Sequence, residues 1–159
     1  MLFLENYTMK TARQLLAEKT IHGTVTVAPQ ATVYQALQVL ADKNIGAVLV
    51  MDGDKLAGIF SERDYARKVV LMGKTSAGTP VSEIMTSRLI CVTPEASVEE
   101  CMAIMTDKRI RHLPVVNAQD ELIGLLSIGD LVRETIAEQE FQIEQLESYI
   151  HGRSSPMAA

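Results

Sequence analysis

Residues 27 to 53, VAPQATVYQALQVLADKNIGAVLVMDG, and residues 92 to 118, VTPEASVEECMAIMTDKRIRHLPVVNA, are two copies of one pattern. Val27, Pro29, Ala31, Val33, Asp42, Lys43, Ile45 and Val50 recur as Val92, Pro94, Ala96, Val98, Asp107, Lys108, Ile110 and Val115. After one extra residue near Gln119, Leu56, Gly58, Ser61, Asp64 and Arg67 recur as Leu122, Gly124, Ser127, Asp130 and Arg133. Such a chain has to fold as two similar units. One unit of about fifty residues buries too little surface to stand alone, so the two must pack together.

Each copy reads as strand, helix, strand, strand, helix. VTVAP (25 to 29) and ICVTP (90 to 94) are β-branched strands stopped by proline. Thr32 with Gln35, and Ser97 with Glu100, have capping-box spacing. The helices that follow put Val33, Ala36, Leu37, Leu40 and Ala41 on one face, and Val98, Cys101, Met102 and Met105 on the other copy's face. AVLVM and LPVV read as short buried strands, turned back by Asp52-Gly53 and by residues 117 to 120 into LAGIF and LIGLL. The fold class expected is α/β (α+β), with two β-α-β-β-α units about a pseudo-twofold axis through their sheets and sharing a core. The units span 20–72 and 81–136, joined by a linker at 73–80.

Both ends read as lying outside the repeat. In the segment 1–19, Thr11 and Gln14 cap a short helix running to Lys19. A C-terminal helix starts near Ile128 and extends over 137–150, and 151–159 reads as a disordered tail. Ile136, Ile143 and Ile150 are seven apart, as are Val132, Gln139 and Leu146. That spacing suits a coiled-coil seam between two chains, and equally a helix folded back on its own core.

The repeated junctions, GIFSERDYARKVV (58 to 70) and GLLSIGDLVRETI (124 to 136), each carry Ser and Asp three apart at a strand-to-helix turn. One reading is structural, since Ser-x-x-Asp caps a helix and suits its dipole. The other is ligand binding. The free amides of a helix N-terminus attract phosphate, and an Asp there can accept both hydroxyls of a ribose. Two such junctions facing one cleft would make two related nucleotide sites.

The duplicated V-x-P-x-x-[ST]-V, AVLV or HLPVV, and G-h-h-S-x-x-D pattern resembles the tandem cystathionine-β-synthase (CBS) domain pair, or Bateman module, over about residues 20 to 136. VSEIMT before the second copy and SERD in the first are typical of small stand-alone members. The resemblance implies binding of an adenine nucleotide: AMP, ADP, ATP, NAD(H) or S-adenosylmethionine. It makes Asp64 and Asp130 ribose ligands, with Ser61 and Ser127 beside them. It brings Arg111 and His112 to phosphate. Thr20 and Val25 in one half, and Thr86 and Ile90 in the other, then line the adenine slot. The halves differ where Gly46, Ala47 and Leu49 face Arg111, His112 and Pro114, and where Arg63 faces Gly129. Small Gly46 and Ala47, beside Ile45 in the site, leave room for a base, and Arg63 and Arg111 supply charge for an anion. Lys19 at the cleft mouth fits a surface position as well as a ligand one.

The resemblance further implies a regulatory module without chemistry of its own, acting as a homodimer on a separate target protein. A structural dimerisation module with a vestigial pocket is the alternative, and an enzyme is a third. His22, His112 and His151 occur singly, no HExxH, GxSxG or GxxxxGK[ST] is present, and no metal site is expected. A net charge of −5 and 4% aromatic residues argue against nucleic acid. No stretch approaches a membrane span, and the apolar run before Glu5 is too short for a signal peptide, so a cytoplasmic protein is expected. Cys91 and Cys101, on apolar patterns, read as buried free thiols.

Overall fold

Thr32 and Ser97 start helices at the same place in their copies. The computed structural model describes residues 10–19 and 24–154. α2 (Val33–Lys43) follows Thr32, whose hydroxyl accepts from the Gln35 amide at 3.1 Å while the Gln35 side chain accepts from the Thr32 amide at 3.0 Å. α5 (Val98–Lys108) follows Ser97, whose hydroxyl accepts from the Glu100 amide at 3.1 Å. Both helices end on a left-handed residue, Asn44 at φ 53° and Arg109 at φ 54°, which turns the chain into the next strand. Val33, Ala36 and Leu40 are buried on α2, and Val98, Cys101 and Met105 on α5. Ala41, expected in the stripe, is exposed. Each residue advances about 100° round a helix, which carries Ala41 from Leu40 onto the flank.

β1 (Thr26–Val27), β2 (Ala47–Asp52) and β3 (Lys55–Ser61) form a sheet in that order, β1 parallel to β2 and β2 antiparallel to β3. β4 (His112–Val116) and β5 (Leu122–Ser127) form the second copy's antiparallel pair. The two hairpins share a register, Val50 opposite Gly58 and Val115 opposite Gly124, with an irregularity one residue later in each. The strand expected at 90–94 is reduced to a single parallel bridge between Val92 and Val115. Pro114 gives the reason. In the first copy the Leu49 amide donates to the Val25 carbonyl at 3.4 Å, whereas Pro114, at the corresponding position, has no N–H to give. Cys91 is exposed, against expectation, while Cys101 is buried. Cys91 lies between Ile90 and Val92, which face inward, and an extended chain alternates its faces.

The helix at the start of the chain is not outside the repeat. α1 (Ala12–Glu18) precedes the first copy and α4 (Val81–Ile84) precedes the second. The amides of Ala12 and Arg13 donate to the carbonyls of Ala96 and Pro94, while those of Val81 and Ser82 donate to Ala31 and Pro29. Each leading helix thus docks on the other copy, in equivalent registers. The buried residues divide accordingly into two hydrophobic clusters instead of one shared core. Ala12 and Leu15 join Val98, Cys101, Leu113 and Leu126, and Val81 and Ile84 join Val33, Leu40, Val48 and Phe60.

β3 runs into α3 (Glu62–Asp64) and a π-helical segment, Tyr65–Val70, and β5 runs directly into α6 (Ile128–Ser154). α6 continues through residues 151–154, which were expected in a disordered tail. Val132, Ile136, Ile143, Leu146 and Ile150 are exposed, so α6 does not fold back on the core along this line. Among the described residues, no helix is long and apolar enough to cross a membrane.

Candidate nucleotide site

The last residue of β5 and the first turn of α6 fix Asp130. The Ser127 amide donates to Asp130 Oδ2 at 2.8 Å, and the Asp130 amide donates to Ser127 Oγ at 3.3 Å. This is a reciprocal capping box, so the structural role expected of Ser-x-x-Asp is realised. Lys19 Nζ also lies 3.0 Å from Asp130 Oδ2 and donates to the Leu125 carbonyl at 2.8 Å. Burial favours the protonated carboxyl, but the Ser127 amide and the Lys19 ammonium outweigh it, and the Asp130 pKa falls below its ordinary value.

Asp130 opens onto a cavity of about 380 Å³, within the range of small-molecule sites. One wall comes from the first copy: Val25, Ile45, Gly46 and Ala47, with Asn44 beside them. The other comes from the second copy and α1: Lys19, His112, Ser127 and Asp130, with Arg133 one turn along α6. His112 is held neutral below its ordinary pKa, first by burial and then by the Lys19 and Arg111 charges, against the opposing pull of Asp130. The cavity therefore offers apolar surface from one copy, a carboxylate acceptor from the other, and nitrogen groups around that carboxylate.

The first junction is built alike and used differently. Asp64 Oδ2 accepts from the Ser61 amide at 3.0 Å and from Ser61 Oγ at 3.1 Å, and the Asp64 amide donates to Ser61 Oγ at 3.2 Å. Its Oδ1 meets Lys68 Nζ at 3.0 Å and Thr86 Oγ1 at 3.3 Å. Lys68 is tied in turn to the Ile84 carbonyl at 3.1 Å. Asp64 is thus buried in a polar network of its own and does not line the cavity. The residue four after each Asp makes the difference. It is Lys68 in the first copy and Glu134 in the second, where the buried Glu134 takes Lys10 Nζ at 3.2 Å.

Of the residues expected at a nucleotide site, the cavity gathers Lys19, Val25, Ile45, Gly46, Ala47, His112, Ser127 and Asp130. Ser61, Asp64 and Thr86 meet in the separate network. Ser61 and Asp64 of the first junction do not line this cavity. Arg63 and Arg111 are exposed and outside the cavity wall, because one points out from a first helical turn and the other precedes the strand. Ile90 packs against the hydrophobic cluster of Val98, Leu113 and Leu126. Thr20 lies outside the described residues. Asn44 and Arg133 line the cavity and were not foreseen. Arg133 could have been found from its spacing, since a residue three after Asp130 shares its helix face. Among the described residues, no three His, Cys, Asp or Glu side chains gather as for a metal ion.

A profile of the CBS domain matches residues 16–71 and 81–136. In an alignment of 126 positions that covers 76% of this chain, it is 44% identical to the CBS domain-containing mitochondrial protein CBSX3 of Arabidopsis thaliana. It spans only 61% of that relative. A solved CBS-domain structure from Burkholderia ambifaria MC40-6 is 51% identical, with a TM-score of 0.78 over 82% of this chain and 96% of that one. The CBS domain protein PAE2072 of Pyrobaculum aerophilum, solved with AMP, is 27% identical, with a TM-score of 0.67 over 76% of this chain and 88% of that one.

Proposed function

The chain belongs to the CBS-domain family, and on that footing we propose that it is a regulatory module that binds one adenine nucleotide between its two copies. AMP, ADP, ATP and NAD(H) are the ligand class. The observation that carries the reading is the position of Asp130, in the lining of a cavity that the other copy also lines. The base lies against Val25 and Ile45–Ala47, the ribose diol on Asp130, and the phosphate toward His112 and Arg133. The AMP held by the Pyrobaculum relative supports this class of ligand. A ligand that touches both copies favours one relative arrangement of them, and that preference is what a partner protein reads. The module works as a homodimer paired through α6 and performs no turnover.

A second reading, a structural dimerisation module with a vestigial pocket, draws on the capping boxes. Both carboxylates are engaged by their own Ser amides. Calorimetry and thermal melting with AMP, ATP and NAD⁺ separate the two. Ligand at a hundred times its Kd should stabilise the chain by about 2.7 kcal/mol. Asp130→Ala should weaken binding roughly ten- to a hundredfold, the loss of a charge-assisted contact worth about 1.5–3 kcal/mol. Asp64→Ala should lower stability and leave one nucleotide bound per chain. A chain that binds none of the three, or an Asp130→Ala variant with unaltered affinity and reduced stability, returns the junction to its structural role.

A further inference from the structure

Lys19 holds the oxygen that a ribose would need. Its Nζ sits 3.0 Å from Asp130 Oδ2, and its second partner, the Leu125 carbonyl at 2.8 Å, also lines the cavity. Lys19 is the C-cap of α1, with extended backbone at φ −65° and ψ 136°, so its long side chain hangs on a residue that has left the helix. Its counterpart is arranged otherwise. Lys68 stands one helical turn from Asp64 and is fixed by the Ile84 carbonyl and Thr86. Asp130 Oδ2 is otherwise held by the Ser127 amide, which belongs to the cap.

Resting on the reading of this cavity as a nucleotide site, we propose that Lys19 is an exchangeable counter-ion. It pairs with Asp130 in the ligand-free chain and passes to the ligand's phosphate when a ribose diol takes Oδ2. The exchange makes phosphate a condition of tight binding. A nucleoside has to break the ion pair and leaves the ammonium in a partly buried place with no anion. A nucleotide brings the replacement anion with it. Lys19 thus sets the preference for AMP over adenosine without adding a contact to the base.

The test measures AMP and adenosine binding calorimetrically on the wild-type chain, Lys19→Met and Lys19→Arg. In Lys19→Met, adenosine should bind about tenfold more tightly and AMP about tenfold more weakly, the effect of a single charge-assisted contact in each case. Lys19→Arg should keep the preference for AMP. Affinities that move in the same direction for both ligands, or a ratio that does not change, overturn the exchange. If Lys19→Met does not fold, the wild-type chain decides alone. Acetylation of Lys19, followed by mass spectrometry, should speed up with adenosine and slow down with AMP, and equal rates overturn the proposal. A wild-type chain that binds neither ligand overturns the nucleotide reading as well, whereas AMP binding with an unchanged ratio overturns only the exchange.

Discussion

His112 shares a cavity wall with Lys19 and Asp130, and its charge state ties the site to pH. Burial, Lys19 and Arg111 hold its pKa down, and Asp130 only partly offsets them. An unfolded histidine titrates at about 6.5. The folded value is lower, so the unfolded chain binds the extra proton first as pH falls. The His112 contribution to stability is then complete above that value and is lost as pH drops through it toward the folded pKa. Asp130 acts in a separate window. Its folded pKa is depressed, so its contribution is present above the unfolded carboxyl value and is lost only in stronger acid. We expect the melting temperature to fall between pH 7 and pH 5, and His112→Gln to flatten that part of the profile while leaving the acid limb. A profile with the same slope in the variant would assign the loss to other groups.

At the scale of elements, two glycines record how closely the leading helices approach the sheets. A Cβ on Gly58 would stand 2.6 Å from Met85 Sδ and 2.9 Å from the Thr86 carbonyl, which is backbone and cannot swing away. A Cβ on Gly124 would stand 2.8 Å from Leu16 Cδ2, the end of a side chain that can rotate. Urea denaturation should therefore find Gly58→Ala destabilised by about 1–3 kcal/mol, and Gly124→Ala by less. The reverse order would mean that α1 is held more rigidly than α4. These contacts also mark where the sequence stops being legible. Thr11, Thr32 and Ser97 announced their helices because a cap is made by residues three apart. The missing strand was written in Pro114, whose effect depends on a single absent N–H. The crossing of α1 and α4 was not readable, since only contacts distant along the chain reveal that Ala12, Leu15 and Leu16 repeat Val81, Ile84 and Met85. The candidate site was half legible for a similar reason. Identical Ser-x-x-Asp motifs gave no sign that Asp64 would pair with Lys68 of its own helical turn while Asp130 would pair with Lys19 at the end of α1.

At the scale of the molecule, α6 has 27 residues and extends about 40 Å, well past the body that its first turns pack against. An isolated helix in water has marginal stability, and the exposed line of Val132, Ile136, Ile143, Leu146 and Ile150 is what a partner helix would cover. With Gln139 included, its steps alternate four and three and give a and d positions, and a parallel pairing sets Gln139 against its own copy, a polar layer that fixes register. Light scattering at micromolar concentration should give a dimer for the wild type and a monomer for Ile143→Lys. Because Ile143 is exposed in the single chain, folding of the body should be unaffected. A monomeric wild type, with and without nucleotide, would rule the seam out.

The crossed leading helices have a consequence for descent. A single copy cut loose would present an open groove where Ala12 and Leu15, or Val81 and Ile84, belong. It could close that groove only by trading helices with a twin. The tandem chain has the architecture of a domain-swapped pair whose two members were joined by one peptide linker. A change in a leading helix has to suit the sheet it visits, so Leu16 is bound to the space Gly124 leaves, and Met85 to the space Gly58 leaves.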